Sequence, residues 1–124
     1  GGHEGGLVVE DEPAVRDVAK ATLKREGYRV LTAANGIEGL AVAEAAGGDL
    51  DIVVTDIVMP EMSGWEMAER LREGRPVLKI LFTSGYNEEI ASPDGRVGQG
   101  VHFLPKPYLP AFLTQRVRQI LDGP

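Results

Sequence analysis

Five residues at four separated places in the chain could do chemistry together: Glu10, Asp11, Asp56, Thr83 and Lys106. Each follows an apolar run of strand length. Asp56 closes the β-branched run over residues 52–55, and Pro60, four residues on, cannot continue a sheet interior. Glu10 and Asp11 follow Leu7-Val8-Val9, Thr83 follows the run over residues 77–82, and Lys106 comes after residues 101–104 and a proline. In an open α/β sheet the carboxyl ends of the strands share one edge, where ligands bind, so these five side chains can converge. Two carboxylates about 4 Å apart repel by about 4 kcal/mol at an effective dielectric of about 20, so three of them ask for a cation or a raised pKa. Oxygen donors without His or Cys select a hard ion, with Mg²⁺ foremost. With that ion and Lys106 neutralising charge, one carboxylate can act as a nucleophile towards phosphorus while the others hold the metal.

The elements that must position these groups are legible in the apolar periodicity. After the first strand, Pro13 opens a helix that places Val15, Val18, Ala19, Thr22 and Leu23 at helical spacing, with Gly27 as its left-handed cap. Residues 29–33 form a second strand. Asn35-Gly36 reads as a turn, and Ile37, Leu40, Ala41 and Ala45 mark a small-residue helix that Gly47-Gly48 ends. Ser63 with Glu66 forms a capping box for a third helix whose buried stripe is Trp65, Ala68 and Leu71. Leu113, Val117, Ile120 and Leu121 give the last helix its apolar face behind Pro110. Between Tyr86 and Gly100, Pro93, Gly95, Gly98 and Gly100 leave a fourth helix short or broken. Alternating strands and helices imply a parallel sheet covered on both faces by right-handed crossovers.

Composition narrows the classes. A chain of 124 residues suits one domain, expected over residues 7–122 behind a flexible leader, residues 1–6. The absence of cysteine removes disulfides, thiolate metal sites and cysteine nucleophiles, and two histidines do not make an imidazole-rich metal site. A net charge of -6 without a basic stripe argues against a nucleic-acid surface. The apolar runs are strand-sized and the Gly-rich start lacks a signal-peptide pattern, so the expected setting is cytoplasmic, without a membrane.

Val9-Glu10-Asp11-Glu12-Pro13, Asp56 with Met59-Pro60 and Gly64, Thr83-Ser84-Gly85, and Lys106-Pro107 together resemble the receiver domain of two-component response regulators, with landmarks in the family's order over nearly the whole chain. The resemblance implies a flavodoxin-like (CheY-like) doubly wound sandwich with strand order 2-1-3-4-5. It implies that Asp56 accepts a phosphoryl group from a phosphohistidine on a histidine kinase or histidine phosphotransfer protein. Asp11, Asp56 and the backbone carbonyl of Val58 would bind Mg²⁺ directly, and Glu10 would reach it mainly through water. Lys106 would pair with Asp56 and then with the phosphoryl oxygens, Thr83 would donate its hydroxyl to them, and Phe103 would be the aromatic ring that turns as Thr83 moves. Lys106-Pro107 resembles the family's cis peptide. The implied assembly is a monomer or a weak phosphorylation-dependent dimer. Either a stand-alone regulator or a receiver from a longer protein fits, and the Gly-rich start and Thr83-Ser84-Gly85-Tyr86 favour one fused behind a histidine kinase.

Taken singly, these residues have ordinary explanations: Glu12 is a helix-start charge, His102 a strand histidine and Trp65 packing. Three departures from the family pattern stand out. Glu10 replaces the commoner Asp, which keeps the charge with a longer reach. Val58 and Gly85 offer no polar side chain to orient an attacking water, so loss of the phosphoryl group should depend on solvent and partner. The weak fourth helix puts the family's usual output and dimer face in doubt. Among other functions, an Mg²⁺-dependent phosphohydrolase with an Asp nucleophile would want a second carboxylate at Val58. A flavin or nucleotide binder would want phosphate donors in the first loop, where Glu10-Asp11-Glu12 repels them. An interaction module that works without phosphorylation also stays open.

Overall fold

The computed structural model describes residues 3–84 and 101–123; the expected fourth helix, like Gly85, lies outside them. Five strands form one parallel sheet: β1 (Gly5–Val9), β2 (Arg29–Ala33), β3 (Ile52–Asp56), β4 (Lys79–Ser84) and β5 (Val101–Pro105), in spatial order β2-β1-β3-β4-β5. The predicted fold and strand order are what the structure has. Gly5 and Gly6, assigned above to the leader, instead begin β1. A side chain at Gly5 would meet the Asp49 carbonyl oxygen, so the glycine is what allows the strand to start there.

Among the described residues four helices cover the sheet, α1 (Pro13–Arg25), α2 (Gly36–Ala46), α3 (Gly64–Gly74) and α4 (Pro110–Asp122), with a 3₁₀ turn, Gly47–Asp49, after α2. Successive strand residues point to opposite faces, which divides the core in two. Leu7, Val9, Val53, Ile80 and Phe82 pack with Ala43 of α2 and Met67, Ala68 and Leu71 of α3. Val8, Ile52, Val54, Leu81 and Leu104 pack with Ala19 and Leu23 of α1 and Leu113, Val117 and Ile120 of α4. The central strands are therefore continuous apolar runs rather than alternating ones, because both faces are buried.

The helix ends follow local chemistry. Gly27, at φ 99°, ends α1: its N–H donates to the Lys24 carbonyl and that of Tyr28 to the Leu23 carbonyl, which satisfies two terminal acceptors. The Ser63 hydroxyl accepts from the Glu66 N–H at 3.1 Å and caps α3 as predicted. Asn35 does more than turn the chain: its side chain accepts from the Glu38 N–H at 2.8 Å, while the Glu38 carboxylate accepts from the Ala34 N–H at 2.9 Å.

One predicted helix face needs correction, and the structure selects another that the spacing left open. In α1, Val18 is exposed, and the buried stripe is Ala19, Thr22 and Leu23. In α2, Ile37, Ala41 and Ala45 face outwards, while Gly36, Gly39 and Ala43 are buried. The reason is close approach. A Cβ at Gly39 would lie 2.8 Å from Met67 Sδ, and one at Gly36 3.1 Å from Met62 Cγ, so this helix docks on its smallest residues.

Candidate functional site

The strand ends assemble the site. Asp56 is the last residue of β3 and sits in register beside Thr83 of β4, Glu10 follows β1, and Lys106 follows β5. The Lys106 N–H donates to the Ser84 carbonyl at 2.6 Å, which fixes the backbone beyond β5, and the Lys106-Pro107 peptide bond is cis. From there the Lys106 ammonium reaches across the edge to Glu10 Oε1 at 2.6 Å and Asp56 Oδ2 at 3.2 Å. Asp11 is exposed, yet Glu10, Asp11 and Asp56 each bring a carboxylate oxygen within 4.8 Å of the other two.

Each buried acid is held by backbone donors. The Ile57 N–H donates to Asp56 Oδ1 at 3.0 Å, and the Glu12 N–H, at the start of α1, donates to Glu10 Oε2 at 3.1 Å. Arg16 in α1 donates to the Glu10 carbonyl at 2.7 Å. The loop after β3 is locked by a glycine: a Cβ at Gly64 would collide with the Asp56 carbonyl oxygen, and the Gly64 N–H donates to the Ile57 carbonyl at 2.7 Å. Only glycine allows α3 to start against the backbone of Asp56.

Among the described residues three carboxylates gather at the Lys106 ammonium, and Glu10 and Asp56 are 3% and 5% exposed. Burial raises the Glu10 carboxyl above its ordinary range, against the opposing pull of Lys106 and the Glu12 N–H. Burial alone would push the Lys106 ammonium down, but Glu10 and Asp56 outweigh it and its pKa is raised. The donors suit a hard cation: Mg²⁺ holds oxygens at about 2.0–2.1 Å, which puts its ligands about 3–4 Å apart, inside the 4.8 Å span of the three carboxylate oxygens. Glu10, Asp11 and Asp56 thus fit Mg²⁺ and a phosphoacceptor aspartate.

The structure brings together Glu10, Asp11, Asp56 and Lys106, with Thr83 buried next to Asp56. Val58 lies in the loop two residues beyond Asp56, with its side chain exposed. Phe103 is on β5, away from the carboxylates, in a cluster of rings with Trp65 and Phe82. Sequence reasoning missed Arg16 and the tight seat of Gly64. Arg16 carried no signal, whereas Gly64 was visible only as part of a motif.

Comparison with known proteins agrees with this geometry. The response regulator receiver domain family matches residues 7–118. The chain is 41% identical over 116 residues to the sensor kinase CckA of Brucella abortus (strain 2308), covering 94% of this chain and 12% of that protein. It is 33% identical to the alkaline phosphatase synthesis transcriptional regulatory protein PhoP of Bacillus subtilis (strain 168), over 93% of this chain and 47% of that one. The chain therefore spans less than half the length of either curated relative. Among solved structures, the receiver domain of the hybrid histidine kinase CckA superposes with a TM-score of 0.82 at 38% identity, covering 95% of this chain and 99% of that one. No helix among the described residues is long and apolar enough to cross a membrane. With its fold, its acidic strand edge and its relatives in agreement, the chain belongs to the response regulator receiver domain family, the receivers of two-component signal transduction.

Proposed function

We propose that Asp56 is the phosphoacceptor. The observation that carries this reading is the Lys106 ammonium bridging Glu10 and Asp56, with Asp11 beside them at the strand edge. An Asp56 carboxylate oxygen attacks the phosphorus of a phosphohistidine; the new O–P bond forms as the P–N bond breaks, and the leaving imidazole nitrogen takes a proton. Lys106 moves from its carboxylate partners to the phosphoryl oxygens. Thr83, in register beside Asp56, turns its hydroxyl to the same oxygens, and Phe103 turns with it.

Asp11, Asp56 and the Val58 carbonyl would hold Mg²⁺, with Glu10 reaching it through water, since Glu10 already engages Lys106 and the Glu12 N–H. When bound, the ion supplies neutralising charge at the phosphoryl oxygens. The domain is a switch that assists its own phosphorylation and dephosphorylation rather than a turnover enzyme. Its donor is a cytoplasmic histidine kinase or histidine phosphotransfer protein, and it acts as a monomer or a weak phosphorylation-dependent dimer. Similarity to the CckA receiver supports a place in a hybrid histidine kinase.

The test is intact mass after incubation with Mg²⁺ and acetyl phosphate. A gain of one phosphoryl group that requires both Mg²⁺ and Asp56 is expected. An equal gain in Asp56→Asn would overturn the assignment. Val58 has no polar side chain to align water, so Val58→Asn is expected to speed loss of the group; an unchanged rate would remove that part of the reading.

A further inference from the structure

We propose that Trp65 is a positioning residue for the Phe103 ring and carries the state of Asp56 into helix α3. The proposal rests on the reading of Asp56 as phosphoacceptor and of Phe103 as the ring that turns. Three aromatic rings meet on the α3 side of the sheet. The Trp65 and Phe82 centroids are 4.2 Å apart, and Trp65 meets Phe103 edge-on at 5.8 Å and 69°. Phe82 and Phe103 are register neighbours on β4 and β5, 5.9 Å apart.

The three rings are held in different ways. Phe82, 1% exposed, is locked in the core immediately before Thr83. Trp65 follows Gly64, whose Cα is seated so closely on the Asp56 carbonyl that no side chain would fit. Its ring therefore stands on a base fixed to the acceptor's own backbone. Phe103 is half-buried in the middle of the edge strand β5, which leaves its ring room to change rotamer.

A turn of Phe103 must exchange its edge contact with Trp65 for another surface. Trp65 thereby sets how readily the ring leaves and registers that it has left. A single nearby apolar side chain could have filled this space; an aromatic edge instead gives contact that depends on ring angle. The start of α3, beside β5, then becomes a surface whose packing differs between the two states of the switch.

Trp65 is the sole tryptophan, so its emission reads this contact without labelling. The whole chain is titrated with beryllofluoride and Mg²⁺, with the adduct at Asp56 followed separately by fluorine NMR. The expected result is a change in Trp65 emission that saturates with the adduct, and its loss in Phe103→Leu, which still forms the adduct. Trp65→Leu is expected to let Phe103 take its turned position without ligand, seen as shifted Phe103 ring resonances. Emission that stays constant while the adduct forms would overturn the proposal, as would a full emission change in Phe103→Leu. Failure of the wild-type chain to form the adduct would instead overturn the reading of Asp56, and the proposal with it.

Discussion

The two edges of the sheet carry the same kinds of charged residue with different consequences. At the amino edge, before β1 and β2, Arg118 of α4 donates to Glu4 at 2.8 Å, to Asp122 at 2.7 Å and to the Tyr28 hydroxyl at 3.2 Å, while Arg29 pairs with Asp49 at 3.9 Å. At the carboxyl edge, Lys106 faces Glu10 and Asp56. Among the described residues, acids outnumber cations around Arg118 just as they do around Lys106. What differs is water. Glu4 and Asp122 are 31% and 64% exposed at the side chain, against 4% and 6% for Glu10 and Asp56. Solvent screens the excess charge at one edge; at the other, relief falls to a bound cation or to protonation of a buried acid. Electrostatic imbalance marks a functional site only where burial prevents water from relieving it.

The largest test of this contrast is Asp56→Asn. Phosphoryl uptake should vanish by intact mass, while thermal unfolding without Mg²⁺ should occur no earlier than in the parent, because one of the crowded carboxylates is gone. A marked loss of stability would mean that the acid supports the fold as the amino-edge acids do. Next is Gly64→Ala, expected to destabilise by about 3 kcal/mol in a denaturant titration, because its Cβ collides with backbone rather than with a pliable side chain. Mg²⁺ at about 100 times its dissociation constant should stabilise the fold by about 2.7 kcal/mol, an effect that Asp11→Asn weakens and that has no counterpart at the amino edge.

The smallest effect belongs to Glu4. Its hydrogen bond from Arg118 holds the carboxyl below its ordinary value of 4.5. A depressed folded-state pKa gives stability that is present above 4.5 and lost as pH falls through the folded value. Glu4→Gln should therefore lower the melting temperature slightly at neutral pH, with the difference disappearing in strong acid. A difference that grew on acidification would contradict the pairing.

Residues whose surroundings are determined locally were legible in the sequence. The apolar runs ending in Asp56, Thr83 and Lys106 announced buried parallel strands, and Ser63 with Gly27 announced helix ends, because caps and strand termini need particular side chains. The union of Glu10, Asp11, Asp56 and Lys106 followed from topology alone once the sheet was parallel. Features set by distant packing were not legible. Helix α2 is apolar on most sides, so periodicity could not choose its buried face; the choice belonged to Gly36 and Gly39 meeting Met62 and Met67. Nor could spacing show that Lys106 lies closer to Glu10 than to Asp56, since that depends on the longer Glu side chain reaching over from β1.

The glycine-lined seat of α2 has a kinetic consequence. Two glycines in its first two turns weaken the isolated helix by about 1 kcal/mol each relative to alanine, and a segment of this length has little persistence alone in water. Helix α2 therefore acquires its order from the methionines beneath it, and its formation has to follow the arrival of α3 on the sheet. Native-state hydrogen exchange would register this as amide protons of α2 opening at lower free energy than those of β3, so the cover of the β1–β2 half of the sheet would open before the central strand beneath it.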